Sequence, residues 1–507
     1  MVMIPQFSSR IKIFISICIL IINLEATAQQ ELSIHFIKGL IQNTEANPAN
    51  ISSDKFVLSL PSVYGNYNNS AFALKDLGKI ENSTLFLAPQ KALEKLKSNN
   101  NLIQSNVNLS LGSLAFRFKN SQLRLFHNSN LDFYGYYPEK MMELLWYGNE
   151  PFIGENIEIA PKIDIFAYHE YGLGFAIQVN EKISVGTNIK YLSGMVNVNS
   201  QRMQASLFTN NGNYQLSAQT DMNIYSSGLS AFLEDSSDDL IINDDNSDWF
   251  LTQNSGLALD FGLNFQLTDQ VKLTGSVLDL GFINWRENTI EQVSKGDFVF
   301  DGIEVKPFDD SDDFEFYTVI DSIGSLVDFE SKTLNNGYKT QLPFRYYVSG
   351  IWDIDSTFSL GALTYGEYYR NKFSPAFAVN AQKSFRHFLE VGSTIAINHN
   401  RSPNIGFNLT LRLAGIQIYG ITDNVIPLIN ISNGRNFNVR FGLNVAIKGK
   451  QVDEEINDDL IAESLDNSVE EEAITETYKK SKKKKKDTNA LVKISKKKEY
   501  FRRTDKY

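Results

Sequence analysis

The strongest constraint in this sequence is a two-residue alternation of apolar and polar side chains, interrupted by short polar turns. In GFAIQVNEKISVGTNIKYLSG, two such runs meet at Asn180 and Glu181, and FGLNFQLTDQVKLTGSVLDLG repeats the arrangement around Thr268 to Gln270. SGIWDIDSTFSLGALTYGEYY does so around Asp353 to Ser356, and AVNAQKSFRHFLEVGSTIAINHN and GFNLTLRLAGIQIYGITDN carry it toward the C-terminus. A period of two sends successive side chains to opposite faces of a strand, so these runs read as antiparallel hairpins with strands of about ten residues. The turns at one end are short, while the connections at the other are long and unequal. Outer-membrane barrels have that asymmetry.

An antiparallel sheet over a soluble core has the same period, so the membrane reading needs support from elsewhere. Residues 1–28 read as a secretory leader, with Arg10 and Lys12 before IFISICILIINL and a small-residue site at Ala26, Thr27 and Ala28. Ile13 to Leu24 is too short for a spanning helix, which needs about 20 apolar residues. Cys18, the single cysteine, lies in the leader, so a chain cleaved after Ala28 has no disulfide, thiolate nucleophile or cysteine metal site. An exported chain without disulfides draws rigidity from a large closed sheet, and closure satisfies the backbone groups that lipid cannot. The expected fold is all-β: a transmembrane antiparallel barrel of about fourteen strands, with short helices in loops or lumen. Residues 29–104 form an N-terminal inward segment and the first barrel elements, 105–449 the main barrel, and 450–507 a charged tail. Tyr365, Tyr368, Tyr369, Phe373 and Phe377 are expected in an aromatic girdle.

Several segments break the alternation. Pro138 followed by EKMMELLWYGNE predicts a short helix ending near Gly148, and KALEKLKSN, after Pro89, predicts another. A third is expected from about Phe316 to Phe329, within a long excursion between Trp285 and Leu342 that counting of hairpins places outside the cell. Acidic clusters occupy two loops: Glu234, Asp235, Asp238, Asp239, Asp244, Asp245 and Asp248, then Asp309, Asp310, Asp312 and Asp313. Carboxylates of this density suit weak calcium binding or a basic partner, but the EF-hand spacing is missing and a solvated acidic face is the simpler reading. No other cofactor is implied. His169 and Glu170, flanked by Tyr168 and Tyr171, invite an acid–base reading, yet they lie in the strand-like AYHEYGLGFA, where a rim or lumen position is more ordinary. There is no GxSxG elbow and no P-loop, so catalysis is not expected.

The tail from Gln451 holds 14 basic and 14 acidic residues in separate blocks, with Lys482, Lys483, Lys484, Lys485 and Lys486 in its basic half. Such blocks bury too little apolar surface to order a chain, and they read as a disordered periplasmic extension. With the leader removed, the net charge of −11 becomes −12, all of it on the barrel and its loops. The expected partners are the lipid bilayer and lipopolysaccharide, and an outer-membrane or periplasmic protein touched by Asp309, Asp310, Asp312, Asp313 and the lysine run. Nucleic acid is not among them.

The segments TEANPAN, YPEKMMELLWYGNE, YHEYGLGFA, VGTNIKYLSGM, LPFRYYVSGIWDID, YGITDNV and NVRFGLNVAI resemble an uncharacterised family of Bacteroidota outer-membrane barrels. That family is distantly similar to the long-chain fatty-acid transporter and to the PorV barrel of type IX secretion. The resemblance implies an N-terminal segment near or inside the lumen, containing Asn47, Pro48 and Ala49. It also implies a loop or cap at Tyr147, Gly148 and Asn149, and a turn at Thr422, Asp423 and Asn424. Functionally it implies an accessory or docking subunit of an envelope complex or, as the alternative, a transporter for hydrophobic or amphipathic small molecules. A lateral opening and a continuous apolar cavity would favour transport, and a sealed lumen with a preserved outer-wall contact the accessory role.

Overall fold

Local hydrogen bonding places the tight turns. In the computed structural model, which describes residues 31–81, 84–98, 101–229, 250–300, 329–386, 388–398 and 403–448, Asn180 Oδ1 accepts from the backbone N–H groups of Lys182 and Ile183 at 2.9 Å. Asp355 Oδ1 accepts from those of Thr357 and Phe358 at 2.6 and 2.8 Å, and Thr268 Oγ1 serves Gln270 and Val271 in the same way. These short polar side chains satisfy backbone donors that a two-to-four-residue reversal leaves unpaired.

The strands between these turns close into a 14-strand antiparallel barrel. They are β1 (Phe56–Ser59, continuing as Ser62–Asn69), β2 (Asn101–Phe118), β3 (Ser121–Tyr137), β4 (Lys162–Gln178) and β5 (Ile183–Thr209). Then come β6 (Ser255–Gln266), β7 (Val271–Trp285), β8 (Phe344–Asp353), β9 (Phe358–Tyr369) and β10 (Lys372–Phe385). The last four are β11 (Leu389–Asn398), β12 (Pro403–Leu413), β13 (Ile416–Thr422) and β14 (Asn436–Ile447). β1 pairs with β2 on one side and with β14 on the other, Val57 facing both Ala115 and Ala446, so the wall has no open edge.

Polarity along each strand is reversed relative to a soluble sandwich. On β12, Asn404, Asn408 and Thr410 point inward and are buried, while Ile405 and Phe407 point outward and are 45% and 42% exposed. On β10, Asn380 and Gln382 are inward and Phe377 and Val379 outward. Such an outer face suits hydrocarbon, and the chain is an integral outer-membrane barrel. Among the described residues no helix is long and apolar enough to cross a membrane.

The two ends differ. At the turn end, adjacent strands reverse over a few residues; at the loop end lie most of the long connections. Arg370–Asn371 is an exception, a two-residue reversal at the loop end with φ of 49° and 62°, as a hairpin matched to strand twist requires. The expected helix after Pro138 spans Glu139–Tyr147 and stops at Gly148, whose φ of 72° lets its N–H reach Leu144 O at 2.9 Å. The one after Pro89 is a single turn, Gln90–Leu93. β5 runs past the rim, where Leu216–Ser227 and Thr289–Phe300 pair alongside it in a small projecting sheet. The leader, both acidic clusters including Asp309, Asp310, Asp312 and Asp313, the expected helix over residues 316–328, and the tail with Lys482 to Lys486 lie outside the described residues.

One expectation is corrected here. Tyr368 and Phe377 are outward and more than a third exposed, as a girdle requires, and Tyr368 packs 5.2 Å from the ring of Phe344. Tyr365 and Tyr369 instead face the lumen and are buried. On one strand, side chains an odd number of positions apart cannot share a face, so Tyr365 and Tyr369 cannot join Tyr368 in one girdle.

Candidate functional site: the barrel lumen

Residues 32–54 fold inside the barrel as a plug. Two short 3-10 turns, Ser33–Phe36 and Ile41–Glu45, carry Leu32, Ile34, Phe36, Ile37 and Leu40. These are almost wholly buried against Tyr347, Leu363, Tyr365, Tyr419 and Ile421 of the wall. Each fully buried side chain of this size contributes about 1.5–3 kcal/mol, an upper bound if the unfolded chain is itself compact.

Polar contacts set where the plug sits. Near the loop end, Asp423 accepts the N–H groups of Leu32 and Ser33 at 3.0 and 2.8 Å. His35 Nε2 meets Thr274 and Ser349 hydroxyls at 2.9 and 2.8 Å, and the Gln42 amide donates to Asn444 at 2.9 Å. Asn47 then donates to Asn264 at 3.0 Å, and Ser52 N–H to Gln122 at 2.7 Å, so the segment crosses the lumen toward the turn end. Gly186 and Gly262 let it lie flush on the wall, because a Cβ there would stand 2.2 Å from Pro48 O and 2.1 Å from Asn47 Oδ1. Asn47, Pro48 and Ala49 are therefore inward, where the family resemblance implied them to be.

Beside the plug runs a belt of buried charge. Lys190 Nζ lies 2.8 Å from Asp279, 2.9 Å from Asp260 and 3.4 Å from Glu170. Arg345 Nε donates to Asp279 at 2.9 Å, Asn188 to Asp260 at 2.8 Å, and Asn128 to Glu170 at 3.1 Å. Asp260 sits where the register of β6 against β7 shifts, and Asp279 opposite it has φ of 62°. A bulge re-aims side chains and strengthens twist, and here it turns two carboxylates onto one ammonium. Left-handed backbone at a non-glycine costs about 1–3 kcal/mol, which the ion pairs of Asp279 offset. On the plug side, Arg440 pairs with Glu31 and lies 2.8 Å from Glu45.

Arg124 differs from the other cations. It is 4% exposed, rests 4.2 Å over the Phe126 ring, and makes no ion pair among the described residues. It borders a cavity of about 100 Å3 lined also by Asn108, Asn130, Asp132, Tyr168 and Tyr347. A cavity of that size and polarity has room for several waters. Toward the loop end, Tyr134, Phe166, Tyr168, Trp285, Leu342 and Tyr369 close the lumen as an apolar layer. Trp285 is fully buried, with Nε1 donating to Thr340 at 2.7 Å.

The couple suggested at His169 and Glu170 is not formed. Glu170 enters the lumen and joins Lys190, while His169, its neighbour on β4, faces the opposite side of the wall. Sequence reading passed over Lys190, Asp260, Asp279, Arg345 and Arg124, which lie far apart in the chain. The available signal was an ionisable residue at an inward position of an otherwise apolar alternation, as Lys190 is in VGTNIKYLSGM. Thr422, Asp423 and Asn424 do form the turn leaving β13, and Asp423 is the anchor of the plug.

Solved structures with similar backbone course include the toluene transporter TodX of Pseudomonas putida, at 8% identity and a TM-score of 0.37, covering 83% of this chain and 93% of that one. A Pseudomonas aeruginosa FadL homologue stands at 9% and 0.37, covering 84% and 99%. The Ralstonia pickettii toluene transporter TbuX stands at 8% and 0.38, also covering 84% and 99%. No curated protein sequence matches the chain. A family profile matches residues 48–423, from within the plug to the anchor aspartate beyond β13, and the chain belongs to that family of unknown function, DUF5723.

Proposed function

We propose that the protein is a gated outer-membrane transporter for amphipathic small molecules, with residues 32–54 as the gate and no catalytic role. One observation carries this reading: an apolar aromatic layer stands directly over a polar cavity containing the unpaired guanidinium of Arg124. A solute with an apolar body and a polar or anionic head complements both layers at once. A purely apolar solute would strip water from the charged belt without replacing its hydrogen bonds, which makes that passage costly. The plug is held by hydrogen bonds, by the ion pair of Glu45 with Arg440 and by its apolar face, none of which is a strand pair of the wall, so the plug can shift without opening the wall. Transport thus takes precedence over the accessory role that the sequence put first, even though the cavity is neither continuous nor apolar.

The test is binding followed through Trp285 fluorescence, using full-length protein in detergent and single-chain amphiphiles with anionic, neutral and cationic heads, and with Trp285→Phe to identify the signal. Anionic amphiphiles are expected to bind tightest, and Arg124→Met to weaken them at least tenfold while sparing neutral ones. If no amphiphile perturbs Trp285 the transport reading is lost.

A second reading, docking subunit of an envelope complex, is favoured by the sheet that β5, Leu216–Ser227 and Thr289–Phe300 build beyond the rim, which the closing of a lumen does not require. Under it the loop end faces outward, and the acidic loop of Asp309, Asp310, Asp312 and Asp313 and the tail lysines contact partners on opposite sides of the membrane. Gentle extraction that repeatedly recovers the barrel alone would remove its basis.

A further inference from the structure

The plug borders two cavities. Ile34, Glu45 and Ala46 line the small one that contains Arg124, while Phe36, Ile37, Asn43 and Ile51 line a second, of about 310 Å3, toward the turn end. Its other side is built from residues at the β4–β5 and β6–β7 reversals and from Ile351 of β8. With the plug in place it already falls within the range of roughly 300–1,000 Å3 in which small-molecule sites occur.

Lys272 sets this cavity apart. It is half-buried on β7, opposite Gln266 of β6 and Ile351 of β8. Thr274, the next residue of β7 to face the lumen, holds His35 of the plug at 2.9 Å, so Lys272 stands one inward position nearer the turn end. Lys190, Arg345 and Arg440 are ion-paired, but Lys272 has no ion pair among the described residues. Asp353, the inward position after Ile351 on β8, is taken by Lys38 of the plug. Lys182 and Lys272 then face a single lining carboxylate, Glu181, in the exposed β4–β5 reversal. The cavity is therefore positive in a chain whose net charge is −11. A half-buried ammonium has lost part of its hydration and gains from an anion that replaces it. Beside that charge the cavity has an apolar lining in Phe36, Ile37, Ile51 and Ile351.

We propose that this cavity is a second binding site, for a single-chain amphiphile with a carboxylate head, in which Lys272 holds the head and Phe36, Ile37, Ile51 and Ile351 seat the chain. Its role as the receiving site of a transported solute rests on the transport reading above. Ile34 borders the upper cavity and His35 the lower, so one segment of chain separates them. When the plug shifts, a head leaving Arg124 meets Lys272 next, and no stage of the passage leaves the anion without a cation. The Arg124 layer decides which solute enters, and the Lys272 cavity holds it on the turn side until the plug returns.

The test photolabels full-length protein in dodecyl maltoside with octanoate carrying a diazirine at its chain end, and maps the labelled residues by mass spectrometry. Label is expected on residues 36–51 and on Ile351. Lys272→Met should reduce it at least tenfold and Lys272→Arg should restore it, with heat-modifiable migration reporting whether each variant is folded. In the unaltered protein, excess unlabelled octanoate should compete the label away, whereas octylammonium and acetate should not, the first lacking the charge and the second the chain. That comparison stands even where a variant fails to fold. Absence of label from both places, full labelling of folded Lys272→Met, or equal competition by octylammonium or acetate would overturn the site. Trp285 fluorescence in the same samples separates the two readings. A Trp285 response without turn-end label overturns this site and keeps transport, while turn-end label without a Trp285 response keeps the site and removes transport.

Discussion

Lys190 shows how one residue can hold a lumen together. Three carboxylates, Glu170, Asp260 and Asp279, surround its ammonium, and among the described residues only Asp279 of the three has a second cation, Arg345, within ion-pairing distance. Removing one partner of a buried pair leaves uncompensated charge, which is worse than removing both. Lys190→Met is therefore expected to destabilise the barrel by about 3–5 kcal/mol, read as a lower midpoint in urea unfolding followed by heat-modifiable migration. Outside the membrane, Asp76 offers a pH test. Burial pushes its carboxyl up, but Lys95 at 2.6 Å and the Ala73 N–H outweigh this and hold it below the ordinary carboxylate value. A carboxyl lowered in the folded state stabilises above its unfolded pKa, near 4, and loses that contribution as pH falls through the folded value. Amide protection of residues 73–95 should drop across that acidic range, and Lys95→Met should flatten the dependence.

Elements divide into those written locally and those that are not. The turns around Asn180, Thr268 and Asp355 were legible because each is closed by a side chain within three residues of the donors it serves. The helix from Glu139 was legible for a similar reason, with proline before it and glycine after it. The plug was foreshadowed only by resemblance, since its partners on β12, β13 and β14 are some 370 to 400 residues away. Its seat on Gly186 and Gly262 gives a prediction at this scale. Gly186→Val places a side chain where Pro48 O now lies, so it should dislodge the plug while leaving the strand pairs intact. Planar-bilayer recordings should then show ion conductance that the unaltered protein lacks. Unchanged conductance in a folded Gly186→Val barrel would mean that something other than the plug closes the lumen.

At the scale of the whole molecule, closure comes from β1 against β14, and β14 ends at Ile447. A chain truncated after Gly449 should therefore still insert and migrate as a heat-modifiable barrel; failure to do so would make the tail part of assembly. Alternation, turn chemistry and the excess of exposed-side apolar residues were enough to specify strands, hairpins and a lipid-facing sheet, because these are interactions of neighbours or of side chains with solvent. Alternation already put Tyr365 and Tyr368 on opposite faces, but it could not say which of the two meets lipid. Which face is the lumen becomes definite only when the sheet closes. Nor could they bring Lys190 to Asp279, 89 residues away, or His127 to His169. Those meetings depend on strand register summed around the barrel, where a one-residue slip would send every charge of the belt to the lipid side.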